Sequence, residues 1–213
     1  MTVSTEALQQ QIPYYLTSEP EQKEFLSSLS SLTSGAKHGY FLSSSFDPYK
    51  EEMLQGDGWR GFQVFSFSNG TKLPIRGIVL SNSCDISADN VRALPPKVVF
   101  APLVKLASIE AKFAAAGLHE AQIVDKVAAI RAQKASSLFY LPADGPLDEE
   151  YVVILDDVHS MPSNVFLEDT SKNKLFTLSM AGFYLFVFKL SVHFCRLQEN
   201  VKRVDAAPAA VSA

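Results

Sequence analysis

The feature that most limits how this chain can fold is an Asn69-Gly70 pair set between two strand-forming runs. Asn-Gly tolerates the positive backbone angles of a tight hairpin turn, so the runs on either side are expected to pair antiparallel. The first run follows Gly56-Asp57-Gly58 and holds Trp59, Phe62, Val64, Phe65 and Phe67; the second is Ile75 to Leu80. The return strand ends abruptly in Ser81-Asn82-Ser83-Cys84-Asp85-Ile86. Hydroxyl, amide, thiol and carboxylate groups gathered at a strand end make a common setting for a site.

Further apolar runs, Lys97 to Val104, Ser137 to Leu141 and Tyr151 to Leu155, continue the β-series. Residues 105–135 interrupt it with a helical period: Leu106, Ile109 and Phe113 recur on one face, and Ile123, Val127 and Ile130 on another after a break at Gly117. An N-terminal helix is expected over 19–33. Ser18 can cap it, Pro20 suits its first turn, Glu19 and Glu21 favour its positive end, and Phe25, Leu29 and Leu32 form its apolar stripe. Gly35 can end it. Ahead of it, Pro13-Tyr14-Tyr15-Leu16 reads as an extended apolar patch.

The segment 178–198 is expected to be the C-terminal helix, with Ser179 as its cap and Phe183, Phe186, Leu190, Phe194 and Leu197 at helical spacing. Tyr184, Leu185, Val187, Phe188 and Val192 make it apolar nearly all round. A membrane span needs about 20 apolar residues, and Lys189 and His193 interrupt this one. It therefore reads as a buried or dimer-facing helix, with a membrane anchor as the alternative. The predicted fold class is α+β in one domain, with strands over 56–158, the insertion at 105–135, a helix at each end and a flexible tail at 202–213.

The chain has 213 residues, 47% of them hydrophobic, enough for one substantial core. A net charge of −4 argues against a broad basic face for duplex DNA. The two cysteines, Cys84 and Cys195, have no Cys-x-x-Cys spacing, so neither a disulfide framework nor a zinc site is indicated. The first residues lack a basic and apolar leader pattern, which points to the cytoplasm.

The order of motifs resembles the MazF/PemK-type toxins. Gly56-Asp57 and Phe62 to Phe67 are similar to that family's early Gly-Asp motif and strand, and Arg76-Gly-Ile-Val-Leu-Ser-Asn82 to its Arg-Pro-x-Val-Val-Leu-Ser-Asn strand. Ala101-Pro-Leu-Val104, Val152-Val-Ile-Leu-Asp156 and Leu178-Ser179 match its later strand ends and the opening of its last helix. The resemblance implies a small SH3-like β-barrel that acts on single-stranded RNA without a metal or cofactor. In that family an arginine at the strand start and a Thr or Ser after Ala-Pro do the cutting. Here Arg76 fills the arginine position, Val104 stands at the hydroxyl position, and Gly77 replaces the proline after the arginine. The implied function is a non-catalytic or weakly catalytic barrel protein that binds RNA or a protein partner and forms a homodimer. The Cys-Asp-Ile turn is also similar to that of bacterial and phage-associated proteins.

Two sets of side chains and the final helix are candidates for function. Trp59, Arg60, Lys72, Arg76, Asn82 and Asp85 around the hairpin offer cations and an aromatic face for single-stranded RNA, or the groove for a protein partner. The competing reading is that Trp59 fills the core and Asp85 holds a turn. Cys84 and His159 form a second set, with Cys84 as nucleophile, His159 as base and Asp156 or Asp157 to orient it, as a hydrolase would need. Asp85, Asp156, Asp157 and His159 lack the spacing of a metal motif, so no metal is expected. In the third reading the final helix pairs with a copy of itself and the protein is structural.

Overall fold

The computed structural model describes residues 18–43, 47–87, 90, 93–94 and 96–194. The patch at Pro13 to Leu16, Cys195, the expected helix end at 195–198 and the tail lie outside them.

The expected hairpin is present. Strand β1 (Gly58–Ser66) pairs antiparallel with β2 (Thr71–Val79), setting Arg60 opposite Arg76 and Phe65 opposite Lys72. A bulge between Arg60 and Phe62 breaks the alternation at Gly61, whose φ is +112°. The extra residue lets both Trp59 and Phe62 turn inward. Lys172 packs so close to Gly61 that a Cβ would lie 3.1 Å from its backbone.

After β2, a single helical turn, α2 (Ser83–Ile86), carries Cys84 and Asp85; Asn82 Oδ1 accepts the Cys84 amide at 3.0 Å. Strand β3 (Lys97–Lys105) pairs with β2 through Phe100 to Pro102. The helical insertion follows as expected, with α3 (Leu106–Ala115) and α4 (Glu120–Arg131) separated at Gly117, φ +82°. Strands β4 (Leu138–Leu141) and β5 (Tyr151–Ile154) return to β3.

Two strands lie beyond the expected limit at 158. β6 (His159–Pro162) pairs with β3, and β7 (Asn173–Phe176) pairs with β1, with a short helix α5 (Ser163–Glu168) between them. Each has only four residues, too few to show a hydrophobic period. β5 and β6 lie end to end along β3. Leu103 pairs with Val153 and Phe100 with His159, so Leu155–Val158 form an excursion that β3 does not match.

The fold is thus α+β with an antiparallel seven-stranded sheet in the order β4-β5-β3-β2-β1-β7, β6 adding to β3. No pairing joins β4 to β7 among the described residues, so the sheet is not closed into the expected barrel. β6 nevertheless curls back beside β1.

One sheet face, carrying Ile78, Ala101, Leu103, Tyr151 and Val153, is covered by α1 (Glu19–Thr33) and the terminal helix α6 (Met180–Phe194). The other face splits in two. Trp59, Phe62, Val98, Phe100, Met161 and Phe166 fill the curl of β1, β2, β3 and β6, while Val152 and Tyr140 meet the insertion helices at Leu106, Ile109, Val127 and Ile130. Rings of Phe62 and Phe100 stack with centroids 4.2 Å apart.

Contact on two sides explains why α6 is apolar all round. Tyr184 meets Phe25 of α1 edge-on, and Phe186 meets Phe139 of the sheet. Ser179 caps it, accepting the Gly182 amide at 3.0 Å. Only Met180, Ser191 and Phe194 of the helix are exposed. No helix among the described residues is long and apolar enough to cross a membrane.

Candidate nucleic-acid interface

From Gly58 to Val79 the chain has Arg60, Lys72 and Arg76 and no carboxylate, although the whole protein carries a net charge of −4. The hairpin register gathers these cations. Lys72, Pro74 and Arg76 alternate along β2 and so share a face, and their partners on β1 are Phe65, Gln63 and Arg60. Phe65 is 52% exposed, and Phe67 beside it, edge-on at 5.2 Å, is 93% exposed. One side of the hairpin therefore presents three cations and two uncovered aromatic rings.

Arg60 and Arg76 face each other directly, an arrangement that disfavours a strand pair unless something neutralises it. No carboxylate does so among the described residues. Arg76 is half-buried, donates to the Tyr151 hydroxyl and lies 5.6 Å from the centre of that ring. Arg60 is exposed and has no ion-pair partner among the described residues. Beside Arg76, Lys105 is paired to Glu149 at 2.7 Å, and that carboxylate holds the Lys105 ammonium above the usual lysine range.

Behind this rim runs a polar chain that is half-buried at Arg131 and Glu150 and buried at Gln133 and Tyr40. Glu150 takes both ends of the Arg131 guanidinium, at 2.8 and 2.6 Å, and the Tyr140 hydroxyl at 2.6 Å; Arg131 first, then Tyr140, holds its carboxyl below the usual range. Gln133, buried at φ +57°, donates to Tyr40 Oη and the Tyr140 carbonyl, and the Tyr40 hydroxyl donates to the Leu32 carbonyl. Burial pushes the Tyr40 phenol up to about 12. Lys189 of α6 is buried too, its ammonium on the Gln133 and Ala135 carbonyls at 2.8 and 2.5 Å. This chain fixes β4, β5 and α4 behind Tyr151.

The other residues singled out in the sequence are dispersed. Trp59 is not on the interface but on the inner face, 6% exposed, against Phe166 and under Lys174. Asn82 caps α2, and Asp85 sits in that turn. Cys84 is exposed on a cavity of about 550 Å³ with Glu51, Glu52 and Met53. His159 stacks on Phe100, and its Nε2 meets Asp157 at 2.8 Å. Among the described residues no hydrogen bond joins the Cys84 thiol to His159, whose imidazole is held by Asp157. Asp156 turns instead to His193 of α6, 3.0 Å away, a partner its sequence position did not suggest. Among the described residues no three His, Cys, Asp or Glu side chains converge as metal ligands.

Gly56-Asp57-Gly58 proves to be a buried charge site. Asp57, 1% exposed, accepts the Leu54 amide at 2.8 Å and meets Lys174 at 2.8 Å; Lys174 also donates to the Tyr49 and Glu52 carbonyls. Burial pushes the Asp57 carboxyl up to about 6 even with Lys174 opposing it.

Sequence reasoning missed Phe65, Phe67 and Tyr151 as parts of the candidate interface. The absence of any acid between 58 and 79 was the available signal for the first two; Tyr151 reaches Arg76 only through the fold. Comparison with protein-family models and with curated proteins found no match.

Proposed function

We propose that this chain is a diverged relative of the MazF/PemK-type proteins, an opened and enlarged form of their SH3-like sheet, that binds single-stranded RNA in the cytoplasm with little or no cleavage. The acid-free hairpin face carries the reading. Arg60 and Arg76 can clamp a phosphate between them, relieving their mutual repulsion, while Phe65 and Phe67 offer rings for stacking bases. The directly opposed Arg60 and Arg76, with no carboxylate between them among the described residues, call for an anion, so RNA is favoured over a protein partner.

Weak catalysis follows from where Val104 points. It packs toward the insertion helices, on the sheet face away from Arg76. The hydroxyl beside Arg76 is that of Tyr151, itself engaged by the guanidinium. Gly77 has a structural reason as well: a Cβ there would lie 2.8 Å from the Phe62 ring and 3.0 Å from the Ala101 carbonyl.

Fluorescence anisotropy with a labelled single-stranded RNA, titrated with salt, tests the proposal. Arg60→Ala, which breaks no ion pair among the described residues, is expected to lower the salt slope by about 0.7 for each phosphate that Arg60 neutralises. Phe65→Ala with Phe67→Ala is expected to weaken binding by about 1–3 kcal/mol per stacked base. Unchanged affinity in both variants, or equal affinity for duplex DNA, would remove the idea.

A further inference from the structure

The cavity beside Cys84 adjoins a second one, and the two share Leu54 and Ser83. The second, about 420 Å³, lies between the start of α6 and the loop before β1, with Leu42, Leu178, Met180 and Phe183 in its wall. Both volumes fall in the range of sites that accept ligand groups. The charge of the cleft is one-sided. Its described lining includes Glu51, Glu52 and Asp57 but no Lys, Arg or His. Asp57 is satisfied by Lys174, whereas Glu51 and Glu52 are exposed and their carboxylates have no ion-pair partner among the described residues.

An occupant must therefore bring apolar groups and positive charge together. The same molecule carries such a segment. At the hairpin end Phe67 is 93%, Phe65 52% and Leu73 44% exposed, with Lys72 directly opposite Phe65. We propose that the hairpin tip of one copy docks in this cleft of a second copy, its phenylalanine rings against Leu178, Met180 and Phe183 and Lys72 against Glu51 and Glu52. The two surfaces are different, so the contact is heterologous, and each copy keeps one free tip and one free cleft for further addition. Docking would cover the outer end of the hairpin proposed to hold RNA. Neither reading requires the other, and assembly is measured without RNA.

Sedimentation velocity over a concentration series gives the test. The native protein is expected to grow past the dimer as concentration rises. A tip variant, Phe67→Ser with Lys72→Ser, and a cleft variant, Glu51→Lys with Glu52→Lys, alter only exposed side chains, and unchanged thermal midpoints verify their folding. Each alone is expected to stay monomeric. Mixed, they are expected to form dimers that grow no further, because one still has a tip and the other a cleft. A native protein that stays monomeric at hundreds of micromolar overturns the proposal. So does association that survives in both variants, or a mixture that remains monomeric.

Discussion

Lys174→Met isolates the energetics of the buried Asp57 site. Methionine keeps the aliphatic stem under Trp59 and removes the charge that meets Asp57 at 2.8 Å. In the native protein burial raises the Asp57 carboxyl from 3.8 to about 6, with Lys174 opposing the rise. Between those values the folded state holds a proton that the unfolded chain has released, so raising the pH across the window lowers stability. At about 1.4 kcal/mol per pH unit, the native protein has lost about 3 kcal/mol by pH 6 and no more above it. Without Lys174 the carboxyl stays protonated in the folded state to higher pH. If that holds to pH 8 the loss reaches about 6 kcal/mol, an excess of about 3. At pH 5 the carboxyl is protonated in both folded proteins and the excess vanishes. What persists is the loss of the bonds to the Tyr49 and Glu52 carbonyls, about 1 kcal/mol each. The variant is thus expected to be less stable by about 5 kcal/mol at pH 8 and about 2 at pH 5. Urea unfolding at the two pH values measures both, and adding Asp57→Asn should abolish the difference between them. Equal losses at pH 5 and pH 8 would refute the reasoning.

Lys189 gives the opposite pH sign. Burial lowers its ammonium from 10.5 to about 8, so over that window the unfolded chain binds the extra proton and stability rises with pH, by up to about 3 kcal/mol; Lys189→Met should lose that rise in urea titrations. Tyr40→Phe removes the hydroxyl that Gln133 donates to and that binds the Leu32 carbonyl, and chemical denaturation should show a loss of about 1–3 kcal/mol. Gly77→Ala forces the Phe62 and Phe100 stack apart, and urea unfolding is expected to show a loss of about 1–3 kcal/mol from overpacking, whereas unchanged stability would show that the stack yields freely.

What the sequence disclosed depended on whether the signal was local. Asn69-Gly70 located the hairpin, and the apolar spacing of Leu106, Ile109, Val127 and Ile130 located the paired insertion helices, because turn chemistry and helical period act over a few residues. The direction of Trp59 was not legible, since the bulge at Gly61 shifts the strand phase. Arg60, Lys72 and Arg76 could be named as cations from sequence, but their common face required the register. Tyr151 beside Arg76, Lys174 beside Asp57 and His193 beside Asp156 join elements distant along the chain, and no spacing rule brings them together. β6 and β7 escaped because four residues hold no period.

The excursion at Leu155–Val158 sets the phase of everything after it. Between the paired positions Val153 and His159 the chain takes six steps while β3, from Leu103 to Phe100, takes three. The surplus is odd, so odd-numbered residues change sides: Tyr151 and Val153 join the core under α1 and α6, whereas Met161 joins the core with Phe62 and Phe100. A deletion of one residue here would invert β6, presenting Ser160 and Pro162 to that aromatic core and turning Met161 out. Removing two, with the buried Leu155 kept, would preserve the phase. The length of this link, rather than its composition, is the property that the two cores hold in common.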